Sequence, residues 1–181
     1  MFVAAWPDNL TVRRLSALEL SSAPGLKAVR PEHWHVTLRF LGDVDDALLP
    51  VLVHALGRAL ARVPSPVHCT IGPATAWFSG ARVLQIPAAG LEGVAEAARQ
   101  ATVPIVPDTA PSPFVGHLTV ARVRGRRADP STLAAVAGIA FTAEFAVPRL
   151  TLVTSELSAE GPRYSTLAQF VLGASGPLTT A

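Results

Sequence analysis

The sequence predicts an α+β fold built from short antiparallel strands and a few amphipathic helices. Half of the 181 residues are hydrophobic and 15% are charged, a balance typical of a chain that folds around a buried core. Some apolar runs alternate with polar residues, which indicates strands, and others recur at helical spacing. The order helix, strand, helix, further strands occurs twice. We therefore expect a bilobal fold, with two related lobes that each hold an antiparallel sheet and helices, and an active cleft between the sheets.

Local signals place the elements of the first half. Asp8 or Asn9 can cap a helix, and Pro64 and Pro66 end a second helix whose leucines recur at helical spacing. The predicted elements are a strand at 2–5, a helix from 8 or 9 to 20, a strand at 34–41, a helix from the acidic residues 43–46 to residue 60, and strands at 67–77 and 82–87.

The second half repeats this outline. Asp129-Pro130 joins a cap residue to a proline at the first helical position, and Gly161-Pro162 forms a turn. The predicted elements are a helix at 91–101, a proline-rich loop at 104–113, a strand at 115–123, a helix at 130–138, and strands at 141–147, 149–156 and 163–172. No linker divides the halves, so we expect one bilobal domain over 1–181, with a frayed tail at 174–181.

Charge and cysteine content exclude several classes of protein. The net charge of +2 is too small to indicate a general nucleic-acid binder by itself. Cys69 is the only cysteine, which excludes an internal disulfide framework and a cysteine zinc site. The start of the chain does not resemble a signal peptide, and the longest apolar stretch, 47–60, is too short and too amphipathic to span a membrane. We expect a cytoplasmic monomer that does not bind membranes.

Two predicted strands carry the same His-x-Thr triplet. Alternate side chains of a strand share a face, so His35, Thr37 and Arg39 are expected in one row, about 7 Å between neighbours. His117 and Thr119 repeat the pattern in the second half. A single triplet is a weak signal, because a lone histidine is more often a hydrogen-bonded structural residue. Its repetition on two alternating strands favours a functional pair.

These residue types suit the opening of a ribose 2′,3′-cyclic phosphate. That reaction removes a proton from water on one side of phosphorus and gives a proton to the departing ribose oxygen on the other. Histidine, with a pKa of about 6.5, can serve as acid or base, and the hydroxyls of Thr37 and Thr119 can donate to phosphate oxygens. The scheme needs no metal or cofactor, and His33 with His35 supplies only two ligands for one. The symmetry of the motifs does not say which histidine is the acid.

Aromatic and basic residues near the second motif are further candidates for substrate binding. Phe114, three residues before His117, is our preferred base-stacking residue, although aromatic residues on strands more often belong to the core. A basic cluster follows the motif and consists of Arg124, Arg126 and Arg127. It is either a solvated turn or a landing site for RNA phosphates.

With these motifs the chain resembles the 2H phosphoesterase superfamily, and most closely its bacterial and archaeal RNA 2′,3′-cyclic phosphodiesterases, also called 2′-5′ RNA ligases. The two His-x-Thr motifs are the specific part of the resemblance. Supporting features extend over nearly the whole chain and are the opening residues 2–4, Trp77-Phe78, the segment 114–122, Ser155-Glu156-Leu157 and the segment 161–164.

The resemblance implies hydrolysis of a 2′,3′-cyclic phosphate RNA end to a 2′-phosphate, with 2′-5′ ligation as the reverse reaction. It implies that His35 donates a proton to the leaving 3′ oxygen and that His117 accepts a proton from water. Arg122 matches the arginine that closes the second motif and is expected at the phosphate. Strict alternation would place Arg122 on the face opposite to His117, so the strand must bend or end there.

Two alternative functions stay open at this point. The same residues would serve a phosphodiesterase for small cyclic nucleotides or ADP-ribose cyclic phosphate, which a competition assay between oligomers and mononucleotides would reveal. A non-catalytic RNA- or nucleotide-binding module would bind without turnover, although both His-x-Thr pairs are intact.

Overall fold

The fold is an antiparallel sheet that curls into a half-barrel, with helices packed against it. It is seen in a computed structural model that describes residues 1–18, 20, 24–78, 80–108, 113–125, 129–158 and 161–173. Arg126, Arg127, the predicted tail and part of the predicted proline-rich loop lie outside the described residues. No helix within the described ranges is long and apolar enough to cross a membrane.

Ten strands form the sheet in the described part of the chain. They are β1 (Phe2–Ala5), β2 (Leu26–Ala28), β3 (Val36–Phe40), β4 (Val67–Ile71), β5 (Ala76–Phe78), β6 (Val83–Ala89), β7 (His117–Val123), β8 (Ala143–Val147), β9 (Arg149–Ser158) and β10 (Gly161–Val171). Their order is β10-β9-β1-β3-β7-β6-β4-β8, with β2 attached to β7 and β5 attached to β6. The predicted antiparallel α+β class is confirmed. The two sequence halves are joined within this single sheet, between β3 and β7, and their description as two lobes stays a prediction.

The helices of the described residues pack against the sheet, and capping residues fix the start of two of them. The helices are α1 (Asn9–Ser16), α2 (Leu49–Leu60), α3 (Glu92–Thr102) and α4 (Pro130–Val136), and short 3₁₀ turns lie at Pro31–His33 and Asp46–Leu48. Asp8 accepts a hydrogen bond from the backbone N–H of Thr11, and Asp129 accepts one from that of Ser131. Both caps agree with the sequence prediction.

Some predicted bounds differ from the structure for local reasons. Helix α1 ends at Ser16, where the hydroxyl bonds back to the Val12 carbonyl and competes with the helical pattern. The predicted strand at 67–77 is two strands, because Gly72 and Pro73 interrupt the ladder and proline has no N–H to donate. Strand β2 has three residues, too few to give a periodic signal.

Buried aliphatic side chains on β3 and β7 anchor the centre of the sheet. Val36 and Leu118 are directly paired and fully buried, within the same apolar cluster as Leu56 of α2 and Ala98 of α3. Burial of one such side chain contributes about 1.5 to 3 kcal/mol. The polar residues that alternate with Val36 and Leu118 are consequently turned to the opposite face of the sheet.

Candidate active site

The two His-x-Thr triplets meet where β3 and β7 touch. These strands share one residue pair, Val36 with Leu118, and antiparallel neighbours run in opposite directions. His35 therefore lies across from Thr119, and Thr37 lies across from His117. The two histidines are diagonal neighbours, which a regular ladder separates by about 7 to 8 Å. The geometry brings both predicted pairs into one patch.

This patch lies in a cavity of about 510 Å³, called here the central pocket. Its lining includes His35, Thr37, His117, Thr119 and Arg122. Five of the seven residues singled out from the sequence are thereby brought together. A cavity of this size is within the range of small-molecule sites.

A backbone carbonyl orients each imidazole in the same way. Nδ1 of His35 lies 2.7 Å from the carbonyl oxygen of His33, and Nδ1 of His117 lies 2.9 Å from that of Val115. A carbonyl oxygen only accepts, so Nδ1 of a neutral ring carries the hydrogen. Nε2 is then left without a hydrogen and can take a proton. Each histidine bonds to the carbonyl of the residue two positions earlier, so the same hydrogen bond occurs in both halves of the chain.

An aromatic face also supports each imidazole. The Phe2 ring stacks on His35 with centroids 4.9 Å apart and planes at 21°, and the Phe78 ring stacks on His117 at 4.8 Å and 22°. Tyr164 meets His35 edge-on at 5.5 Å. These contacts restrict rotation of the rings, so each Nε2 has a defined direction.

The two histidines differ in their surroundings. Burial lowers the pKa of His35 to about 4; the hydrogen bond to the His33 carbonyl raises it, and the positive charge of Arg122 lowers it further. The ring of His117 is more exposed. In the free protein His35 is therefore neutral near pH 7.

A β-bulge in β7 brings Arg122 to the pocket. Gln85 of β6 pairs with Thr119 and Leu84 pairs with Ala121, so Val120 is an extra residue. A bulge reverses the alternation beyond it. Arg122 consequently shares the pocket face with His117, and this is how the strand departs from strict alternation.

A matching bulge in β3 turns Arg39 away, and the expectation that Arg39 lies in the row with His35 was wrong. Val3 of β1 pairs with Arg39 and Ala4 pairs with Thr37, which leaves Leu38 as the extra residue. Arg39 is 8% exposed; it forms an ion pair with Asp108 and donates to the Val106 carbonyl at 2.8 Å. It therefore joins β3 to the chain that follows α3.

Phe40 occupies the place that Arg39 was expected to take. It lines the central pocket and is 70% exposed, although strict alternation from His35 would turn its side chain to the core face. Phe40 lies five residues after His35, as Arg122 lies five residues after His117. Both bulges fall three residues after a histidine, so one structural plan serves both motifs.

Phe114 is not brought into the lining of the pocket. Its ring packs against the main core. The ring also lies against Gly116, which has no room for a side chain, because a Cβ added to Gly116 would be 2.3 Å from the Ala88 carbonyl oxygen. The rings that do contact the histidines are those of Phe2, Trp6, Phe78 and Tyr164, and sequence reasoning did not predict these contacts. Arg124 is exposed beside Gly125, outside this lining.

The sequence of a curated relative decides the family. An RNA 2′,3′-cyclic phosphodiesterase of Thermus thermophilus is 32% identical over 163 residues, which cover 82% of this chain and 76% of the relative. The chain belongs to the LigT-like phosphoesterase family. The model of that family matches residues 6–72, which include the first His-x-Thr motif. The predicted two-histidine phosphoesterase family is confirmed, and the family indicates a hydrolase.

Solved structures agree with this placement. Crystal structures of TT0787 of Thermus thermophilus and of Escherichia coli LigT bound to 3′-AMP have the same fold. The first has a TM-score of 0.82 and 28% identity, and the match covers 96% of this chain and 97% of that one. The second has a TM-score of 0.73 and 20% identity, with 94% and 96% covered.

Proposed function

We propose that the central pocket hydrolyses 2′,3′-cyclic phosphate ends of RNA to 2′-phosphates by paired acid and base catalysis. The observation that carries this proposal is that His35 and His117 are diagonal neighbours in one cavity, each with Nδ1 bonded to a carbonyl. Two Nε2 atoms on opposite sides of one phosphate match the two proton transfers of the reaction. The name of the Thermus relative supports the choice of substrate.

In this mechanism His117 is the base and His35 is the acid. Nε2 of His117 takes a proton from a water molecule, whose oxygen attacks phosphorus. The bond from phosphorus to the ribose 3′ oxygen breaks, and that oxygen takes the proton from Nε2 of His35. The product is a 2′-phosphate with a free 3′ hydroxyl, and the reverse sequence with a 5′ hydroxyl in place of water would form a 2′-5′ linkage.

The substrate itself charges His35 for this role. His35 is neutral in the free protein near pH 7 because burial lowers its pKa to about 4. An anionic phosphate at about 4 Å stabilises the protonated ring by about 4 kcal/mol at an effective dielectric constant of about 20. That energy equals a pKa rise of about three units. The pKa of His35 is then about 7, so about half of the rings carry a proton near pH 7 when the phosphate is in place.

The other pocket residues bind the phosphate and the base. Thr37 and Thr119 lie beside the histidines and donate their hydroxyls to non-bridging oxygens, and Arg122 adds positive charge. Phe40 presents an exposed ring to the pocket and stacks on the nucleobase.

The acid and base need no metal or cofactor, and among the described residues no group of three metal-ligating side chains is present. We propose a two-lobed molecule with this pocket as its cleft, acting as a cytoplasmic monomer.

Small nucleotides are the second candidate class of substrate. Escherichia coli LigT, which shares this fold at 20 to 21% identity, has been crystallised with 3′-AMP, ATP and NADP+. A pocket of about 510 Å³ has room for a nucleotide of this kind. A competition between an RNA oligomer and a mononucleotide, both with cyclic phosphate ends, separates the two classes.

The reaction is tested with an RNA oligomer that ends in a 2′,3′-cyclic phosphate, in the presence of a chelator. We expect a 2′-phosphate product by ³¹P NMR. His35→Ala and His117→Ala should each lower the rate by at least about 10²-fold. His54→Ala is the matched control, because His54 is exposed on α2 outside the lining of the central pocket. A 3′-phosphate product, or full activity in either active-site variant, would contradict the mechanism.

A further inference from the structure

A second apolar cluster lies on the pocket side of the sheet, apart from the main core. Its members, called here the aromatic cluster, are Phe2, Ala4, Trp6, Val153 and Tyr164. Phe2 and Tyr164 also line the central pocket. All three rings of the cluster contact the imidazole of His35. The cluster therefore surrounds one of the two histidines.

The pairing of β1 with β3 brings the aromatic cluster to His35. The last pair of their ladder leaves Trp6 and His35 as the next residues along, so these two lie across from each other. Phe2, Ala4 and Trp6 share one face of the chain because side chains alternate along a strand. The imidazole consequently lies between the rings of Phe2 and Trp6, over the small side chain of Ala4.

The two histidines differ in the number of rings around them. The centroid of Phe2 is 4.9 Å from that of His35 with planes at 21°, and the centroid of Trp6 is 5.2 Å away with planes at 47°. Among the described residues, a single ring, that of Phe78, stacks on His117. The aromatic neighbours therefore break the symmetry of the two His-x-Thr motifs.

The faces of these rings favour a positive charge on His35. An aromatic face carries excess negative charge and attracts a cation that lies within about 6 Å of the ring centroid. Phe2 and Trp6 both lie within that distance of His35. A protonated imidazole gains far more from this attraction than a neutral one, so the rings stabilise the protonated form.

Other groups around His35 act against its protonation. Burial lowers its pKa most; the His33 carbonyl raises it, and the charges of Arg122, His33 and His117 lower it. The hydroxyl of Tyr164 is uncharged near pH 7, because burial raises its pKa. A bound phosphate anion offsets the effect of burial, and the ring faces add to this stabilisation without competing for the phosphate oxygens.

We propose that Phe2 and Trp6 hold the transferable proton on His35 in the phosphate complex, and that they thereby make His35 rather than His117 the acid. The inference rests on the proposed function, because it concerns the same pair of histidines. Phe2 and Trp6 are positioning residues, since they act through His35 and exchange no proton themselves.

The proposal is tested by NMR titration of His35 in the complex with adenosine 2′-phosphate. Phe2 is buried, and Phe2→Leu removes the ring face but keeps an apolar side chain there, so the burial of His35 is retained. We expect the pKa of His35 in the complex to fall by about one unit. A rise, which is the result expected if the ring only excludes water, or an unchanged value would overturn the proposal.

Two further variants make the test specific. Trp6→Leu should also lower the pKa of His35, and Trp6 lies outside the described lining of the pocket, so this variant removes no contact with the ligand. Phe78→Leu is the matched control, because it removes the ring that stacks on the other histidine and should leave the pKa of His35 unchanged. An equal fall in Phe78→Leu would overturn the proposal, because the effect would then not be local to His35.

The hydrolysis of adenosine 2′,3′-cyclic phosphate gives a second readout. A lower pKa leaves less of His35 protonated, and this deficit shrinks as the pH falls. With a pKa of about 7 in the wild-type complex and about 6 in Phe2→Leu, kcat should be reduced about tenfold at about pH 8 and about twofold at about pH 6. A reduction that does not depend on pH would show a structural role alone and would overturn the proposal.

The NMR titration also separates failure of this inference from failure of the proposed function, because it needs no turnover. If the pKa of His35 falls in Phe2→Leu but the wild-type protein does not hydrolyse the cyclic phosphate, the proposed reaction is wrong and the stabilisation of charged His35 by the rings stands. If the wild-type protein hydrolyses it and neither Phe2→Leu nor Trp6→Leu lowers the pKa, the inference alone is refuted.

Discussion

The protonation of His35 should change when an anion enters the central pocket. Burial lowers the pKa of His35 to about 4 in the free protein. One negative charge at about 4 Å is worth about 4 kcal/mol at an effective dielectric constant of about 20, or about three pKa units. We therefore predict that a bound nucleoside 2′-phosphate raises the pKa of His35 to about 7.

NMR of the imidazole Cε1–H groups measures this shift. The chain has five histidines, and His35→Gln identifies the signal of His35 by its loss. Titrations from about pH 4 to about pH 8, with and without the 2′-phosphate, should show the signal moving over two different pH ranges. The signal of His54, an exposed residue of α2, should be the same in both titrations.

Two results would refute the reasoning. A pKa near 6.5 in the free protein would show that burial does not control His35. A pKa that stays near 4 with the phosphate bound would leave His35 neutral at pH 7, and then His35 could not be the acid.

Three further predictions concern stability and binding. The folded pKa of His35, about 4, is below its reference value of 6.5, so the unfolded chain binds more protons between these pH values. The free energy of unfolding should therefore fall by about 3 kcal/mol from pH 7 to pH 4. Urea melts should show a much smaller fall in His35→Gln. Arg39→Met leaves Asp108, whose side chain is 13% exposed, without its main partner and should cost about 3 to 5 kcal/mol of stability. Arg99→Met removes an exposed partner of Asp108 and should cost much less. Similar losses in the two variants would count against a structural role for Arg39. Phe40→Ala should change the free energy of unfolding by less than about 0.5 kcal/mol, because the ring is 70% exposed. The same variant should raise KM about 5- to 100-fold, because stacking on the base is lost. A large loss of stability with no change in KM would exclude the stacking role.

Strand alternation was sufficient to find the histidine and threonine face, because β3 and β7 keep the period of two from His35 to Thr37 and from His117 to Thr119. Strand alternation no longer predicted the side-chain directions beyond the bulges at Leu38 and Val120. A bulge depends on the register with the partner strands β1 and β6, which the local sequence does not contain. Arg39 was therefore misplaced, and the way in which Arg122 reaches the pocket was left open.

The aromatic support of the histidines could not be predicted for a similar reason. Phe2, Phe78 and Tyr164 come from three strands that are far apart in sequence, and their contacts follow from pairing order and side-chain direction. Long and regular elements such as α2 were foreseen, because their apolar residues repeat over several turns.

The central claim is that one phosphate group lies between the two imidazoles, and a crystal structure with bound nucleoside 2′-phosphate tests it most directly. We predict that phosphate oxygens lie within about 3 Å of Nε2 of His35 and of Nε2 of His117. A phosphate that contacts only one of these atoms, or that binds outside the central pocket, would contradict the claim.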